Sequence, residues 1–187
     1  MLEGIKKLHF VGIGGVGMSA IAEVMLDKGY EISGSDLSES AVVKHLKAKG
    51  ATIYKGHDAL NVEGKEALVL SSAIHQDNSE LVAAKAKGLK LFHRSDILAY
   101  LLNDAKGIAV AGAHGKTTTS SMISVVLEHA KVDPTILIGG FVDYLKGNAK
   151  LGKSDYLVAE ADESDGSFLK FYPKIAVVTN IEDDHMD

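Results

Sequence analysis

The chain contains no cysteine in its 187 residues. That excludes a disulfide framework and any thiolate-ligated metal site. It also lacks an excess of positive charge. A formal net charge of −5 provides no basic field for nucleic acid or an anionic membrane, so neither is expected as a partner. No stretch reaches the ~18 continuous apolar residues of a membrane span. Internal repeats and low-complexity segments are missing too. What is present is an ordinary globular composition, 46% hydrophobic and 24% charged, long enough for one domain and at least part of a second. Absence of cysteine fits a cytoplasmic location, which is the expectation.

Near the start, Lys6-Lys7 followed by the largely apolar residues 8–22 imitates a secretory leader. Gly12, Gly14, Gly15 and Gly17 interrupt that stretch, and Glu23 and Asp27 follow on the same helical run. A strand, a turn and a helix account for all of these, and a leader does not.

Strand-like and helix-like patterns then alternate. Strands are predicted over residues 8–13, 31–35, 51–54, 67–71 and 89–92. Helices are predicted over 18–28, 41–49, 79–87 and 96–102, the last with Ser95 as N-cap. Such alternation predicts a parallel sheet with helices on both faces. The polar break Asn103-Asp104-Ala105-Lys106 precedes a fresh strand, which places a domain border near residue 105. Further strands are predicted near 135–138, 156–160 and 175–180. The second domain, residues 106–187, is short for a doubly wound sheet, and the expectation is the leading part of a longer protein.

Two glycine loops stand out. In the second domain, the apolar run Ile108-Ala109-Val110-Ala111 leads into Gly112-Ala113-His114-Gly115-Lys116-Thr117-Thr118-Thr119, and a helical pattern follows. Strand, glycine turn, Lys-Thr and helix together build a cradle for nucleotide phosphates. Backbone N–H groups and the helix N-terminus supply positive potential, Lys116 adds a point charge, and the Thr117 hydroxyl can reach Mg²⁺. The usual phosphate-loop spelling has a further glycine where this chain has Val110. In the first domain, Gly12-Ile13-Gly14-Gly15-Val16-Gly17 satisfies G-x-G-x-x-G, and Asp36 ends the next strand close to the expected ~20 residues on. This pattern selects a pyrophosphate at a helix N-terminus. A nicotinamide dinucleotide and a UDP-sugar both carry one, so an oxidoreductase remains open at this point.

Acidic clusters close two later strands: Glu160-Ala161-Asp162-Glu163-Ser164-Asp165, and Glu182-Asp183-Asp184-His185. In open α/β sheets ligands bind outside the carboxyl ends of the strands, the edge that also carries the phosphate loop. Hard oxygen ligands there suit Mg²⁺ bridging nucleotide phosphates.

Taken in order along the whole chain, these stretches resemble the Mur ligases. Further matching segments are Met18-Ser19, Ser33-Gly34-Ser35-Asp36, Ser71-Ser72-Ala73-Ile74 with Asn78, His93-Arg94, Ser167-Phe168, Thr179-Asn180-Ile181 and Asp184-His185-Met186-Asp187. Ala113 stands where the family commonly has Thr. Ser164 is like the alanine-adding branch rather than the murein-tripeptide recycling branch, where a Tyr is typical.

The resemblance implies an α/β protein in which a Rossmann-like UDP-substrate domain (1–105) is followed by the first part of a P-loop ATPase domain (106–187). Gly14, Gly15, Val16, Gly17, Met18 and Ser19 would cradle the UDP diphosphate, with Asp36, Ser72 and Asn78 lining the same site. Gly112, Ala113, His114, Gly115, Lys116, Thr117 and Thr118 would bind ATP, Lys116 at its terminal phosphates. Thr117, Glu160 and His185 would serve Mg²⁺, and Asn180 would shape that pocket. Lys116, Glu160 and His185 are thus the implied catalytic set.

The implied activity is an ATP-dependent joining of L-alanine to UDP-N-acetylmuramate through an acyl phosphate, in peptidoglycan synthesis. Recycling of murein peptide by the same family is the alternative. The 187-residue chain itself is expected to bind substrate without completing the ligation. Its second domain is expected to be the less stable one, and pairing of two copies would cover exposed apolar faces.

Overall fold

Continuous runs of branched apolar residues make strands that are buried on both faces, and glycine turns send the chain into covering helices. The computed structural model describes residues 1–161 and 166–182. It divides into two compact units, Met1–Arg94 and Ser95–Asp187. The border proposed near residue 105 lies one helix further along.

In the first unit the elements run β1 (Lys7–Val11), α1 (Val16–Asp27), β2 (Glu31–Asp36), α2 (Ala41–Ala48) and β3 (Thr52–Lys55). A short 3-10 turn (Ala59–Val62), β4 (Ala67–Leu70), α3 (Ser79–Ala86) and β5 (Lys90–His93) follow. The five strands form a sheet of order β3-β2-β1-β4-β5, and every pairing is parallel. Strand β1 is central: Leu8, Phe10 and Val11 have no exposed surface, and neither does His9. The order reverses beside β1, because the chain builds outward to β3 and then returns to lay β4 on the other side. That reversal opens a crevice at the carboxyl ends of β1 and β4.

Helix α4 (Arg94–Asp104) bridges to β6 (Lys106–Ala111), α5 (Lys116–His129), β7 (Thr135–Val142), β8 (Gly147–Lys150), β9 (Tyr156–Glu160), a second 3-10 turn (Ser167–Lys170) and β10 (Ile175–Val178). The second sheet has order β10-β6-β9-β7-β8. Its pairings are parallel except β7 with β8, an antiparallel hairpin absent from the sequence-based expectation. Ser95 lies inside α4, which starts at Arg94, and therefore does not cap it. In both units the glycine loop leaves an interior strand, β1 or β6, and opens a long helix, the arrangement that the alternating pattern predicts. No helix among the described residues is long and apolar enough to cross a membrane.

Candidate functional site

The first loop turns where β1 ends. Gly12 is left-handed at φ 75°, and Gly15, extended at φ −62°, is the N-cap of α1. The Gly14 N–H donates to Asp36 Oδ2 at 2.8 Å, so the carboxylate ending β2 fixes the loop. A Cβ on Gly14 would sit 2.7 Å from that oxygen, which forbids any larger residue without displacing Asp36. The other oxygen, Oδ1, accepts from Ser38 N–H at 3.0 Å and Ser38 Oγ at 3.2 Å.

Val16, Gly17 and Met18 form the first turn, ahead of the helical bond from Ser19 N–H to Gly15 O at 2.8 Å. Amides at that position favour an anion. The side chains of Met18 and Ser19 face inward, at 3% and 1% exposure, and Ser19 Oγ bonds back to Val16 O. Whatever these residues offer a ligand comes from their backbone.

Beside the loop lies a cleft of about 410 Å³, walled by Gly12, Asp36, Leu37, His57, Ile74 and Asn78 among others. It occupies the crevice at the switch point. Asn78 caps α3, its Oδ1 accepting from Glu80 N–H and Leu81 N–H at 3.0 and 3.2 Å. Ser72 is exposed on the loop that follows β4 and is not among the residues lining the cleft.

Under the cleft floor sits a polar cluster that sequence reasoning missed. Glu80 on α3 is fully buried. Its Oε1 faces His9 Nε2 at 3.2 Å and accepts from Asn61 Nδ2 at 2.7 Å. Its Oε2 accepts from Ser35 Oγ at 2.6 Å and meets His57 Nδ1 at 3.0 Å. Burial opposes the charge, but hydrogen bonds from His9, Ser35 and Asn61 outweigh it and hold Glu80 down to about 2. One signal was available: a histidine inside the apolar strand Lys7–Val11 must find a buried partner.

The second loop leaves β6. Gly112 (φ 129°) and Gly115 (φ 82°) adopt backbone that side-chain-bearing residues rarely take. A Cβ on Gly112 would run into Thr179 Oγ1 and come within 3.0 Å of Asn180 N. Two residues after β10 brace the turn: Thr179 Oγ donates to His114 O at 2.6 Å, while Asn180 receives His114 N–H and returns a bond to His114 O, both at 3.0 Å. The loop curls around its own lysine, with Lys116 Nζ donating to Gly112 O at 2.6 Å.

Pairing of β6 with β9 sets Glu160 abreast of Val110. Glu160 Oε1 accepts from Ser120 Oγ at 3.2 Å. Gly139 and Gly140 of β7 hold open the space around Glu160 and Thr117. A Cβ on Gly139 would lie 2.5 Å from Glu160 Oε2, and one on Gly140 would lie 3.0 Å from Thr117 Cγ2. A hydroxyl and a carboxylate around an open cradle, next to a lysine and a helix N-terminus, fit a Mg²⁺ that takes its other ligands from phosphate and water. The described residues contain no group of three His, Asp or Glu able to hold a metal by themselves. His185 lies outside the described residues, as do Asp162, Glu163, Ser164 and Asp165.

The fold and these loops define an α/β protein with a Rossmann-like first unit and a second glycine loop opening the long helix of a second α/β sheet. Family comparison agrees. Residues 7–118 match the model of the Mur ligase family catalytic domain, and residues 110–187 match the Mur ligase middle domain. The chain belongs to the Mur ligase family.

A UDP-N-acetylmuramate–L-alanine ligase of Dictyoglomus turgidum is 56% identical over 182 residues, which is 97% of this chain and 39% of that protein. One from Hydrogenobaculum sp. is 57% identical over 98% of this chain and 41% of that protein. The chain thus spans about two fifths of the length of these relatives. Among solved structures, a UDP-N-acetylmuramate–alanine ligase from Thermotoga maritima superposes with a TM-score of 0.87 at 34% identity, covering 96% of this chain and 42% of that one. A UDP-N-acetylmuramate:L-alanyl-γ-D-glutamyl-meso-diaminopimelate ligase from Neisseria meningitides reaches 0.90 at 31% identity, covering 98% and 63%.

Proposed function

We propose that this chain supplies the UDP-substrate site and the ATP phosphate loop of an ATP-dependent ligase that joins L-alanine to UDP-N-acetylmuramate. The observation that carries the reading is the convergence at the second loop, where Lys116, Thr117 and Glu160 meet at the carboxyl ends of β6 and β9. A dehydrogenase would use the first loop and leave this one without a task.

In the proposed reaction the backbone amides opening α1 hold the UDP diphosphate, and the switch-point cleft takes the nucleoside. The amides of the second loop and Lys116 hold the ATP phosphates. Lys116 must exchange its bond to Gly112 O for a phosphate oxygen, a short swing of one flexible side chain. Mg²⁺, when bound at Thr117 and Glu160, supplies neutralisation of the developing phosphate charge. Transfer of the terminal phosphoryl group to the substrate carboxylate gives an acyl phosphate, which the amine of L-alanine attacks to leave amide, ADP and phosphate. Positioning and charge neutralisation suffice for this chemistry. A requirement for ATP fits a cytoplasmic location.

Murein-peptide ligation is the second reading, and the structural likeness to the Neisseria enzyme favours it. The higher sequence identity to alanine ligases supports the first. Calorimetric titration of this chain with UDP-N-acetylmuramate, ATP with Mg²⁺, and NADH tests the assignment. Binding of the first two and not the third is expected. Binding of NADH in preference to the UDP-sugar would overturn it.

A further inference from the structure

The buried cluster under the cleft has a chemical consequence for the wall above it. Glu80 is ionised, and a carboxylate can only accept hydrogen bonds. Each ring nitrogen turned to it must therefore carry a proton: His9 at Nε2, 3.2 Å away, and His57 at Nδ1, 3.0 Å away. Ser35 Oγ donates its proton to Glu80 at 2.6 Å and so receives His57 Nδ1–H at 2.9 Å. His57 is consequently held in one orientation by two acceptors on the same side of the ring.

His57 also lines the cleft, with 20% of its side chain exposed. Its Nε2 has no protein partner among the described residues, since both of its contacts go through Nδ1. With Nδ1 turned to Glu80 and Ser35, Nε2 is the ring nitrogen left for a ligand. On the neighbouring wall, Asp36 already accepts from Gly14 and Ser38.

We propose that His57 is a ligand-contacting residue of the nucleoside subsite, accepting at Nε2 a hydrogen bond from an O–H or N–H of the nucleoside, and that buried Glu80 is the positioning residue that fixes its tautomer. This rests on the reading of the cleft as a UDP site. Metal-site histidines are commonly oriented by a carboxylate on their second nitrogen, and here the same device serves an organic ligand.

The test uses the 187-residue chain and UDP. Nitrogen-15 NMR of the wild type should show His57 protonated at Nδ1. The variant His57→Asn keeps a donor toward Glu80 but cannot reach the cleft. It should retain its Tm and lose UDP affinity by about threefold to tenfold, the scale of one hydrogen bond. Penalties for 2′-deoxy-UDP or N3-methyl-UDP that vanish in His57→Asn identify the donor as ribose or base. Glu80→Gln should mix the two tautomers of His57 and weaken UDP binding. If that variant does not fold, the wild-type spectrum and His57→Asn decide alone. A wild-type Nε2–H tautomer, or a folded His57→Asn that binds UDP as tightly as wild type, overturns the proposal and leaves the nucleotide site standing. A wild-type chain that fails to bind UDP overturns the site reading, and the proposal falls with it.

Discussion

Single residues here show how a buried charge is kept. Glu80 stays ionised because His9, Ser35 and Asn61 all donate to it, which offsets the cost of removing a carboxylate from water. Its folded-state value, about 2, lies below the ordinary 4.5. The contribution to stability is therefore complete above about pH 5 and is lost as pH falls through the folded value. On the linkage scale a shift of this size corresponds to about 3 kcal/mol at neutral pH. Thermal unfolding at pH 7, 4 and 2.5 should show the Tm of wild type falling steeply with acid, and that of Glu80→Gln starting lower and falling less. Parallel curves for the two proteins would refute the assignment. None of this cluster was legible as a unit in the sequence, because His9 and Glu80 are 71 residues apart. A buried-looking histidine announces a partner without naming it.

Whole elements were more legible, and for a physical reason. Apolar residues such as Leu68, Val69 and Val110 on interior strands are fully buried, and glycines mark the loops that follow β1 and β6. The exceptions were elements whose existence depends on tertiary pairing. Strand β8, Gly-Asn-Ala-Lys, has no branched residue and is ordered by its antiparallel neighbour. Strand β7 extends past its expected end at 138 to Val142, with its register shifting between Leu137 and Val142. Gly139 and Gly140 sit in that irregular stretch, so the sheet leaves a gap where Thr117 and Glu160 point. Gly139→Ala should push Glu160 Oε2 from its place, since the added Cβ would lie 2.5 Å away. Displacing one ligand by a fraction of an ångström to an ångström costs on the order of tenfold to a hundredfold. That loss should appear as a raised Mg²⁺ requirement for ATP binding with the Tm nearly kept. An unchanged Mg²⁺ dependence in a folded variant would remove Glu160 from the metal site.

At the scale of the molecule, the chain carries two glycine loops, each following a strand and opening a long helix of its own unit. Gly14, Gly15, Asp36 and His57 belong to the unit Met1–Arg94, while Lys116, Thr117 and Glu160 belong to Ser95–Asp187. Each loop is expected to bind its own ligand, so the two binding activities should separate cleanly. Gly15→Val is a suitable probe of the first. A Cβ there meets nothing nearer than Gly12 O at 3.4 Å, and φ is ordinary at −62°, so the fold tolerates the change while the backbone becomes unapproachable. This variant should lose UDP binding and keep ATP binding. Lys116→Ala should do the reverse. In a protein extended to the length of its relatives, it should also cost on the order of 10²–10³ in turnover, the scale of losing one preorganised charge-stabilising donor. Calorimetry of both variants with both ligands gives a two-by-two outcome. Loss of both ligands in either folded variant would mean that the sites are energetically one. Near-normal turnover of Lys116→Ala in the extended protein would remove this lysine from phosphoryl transfer.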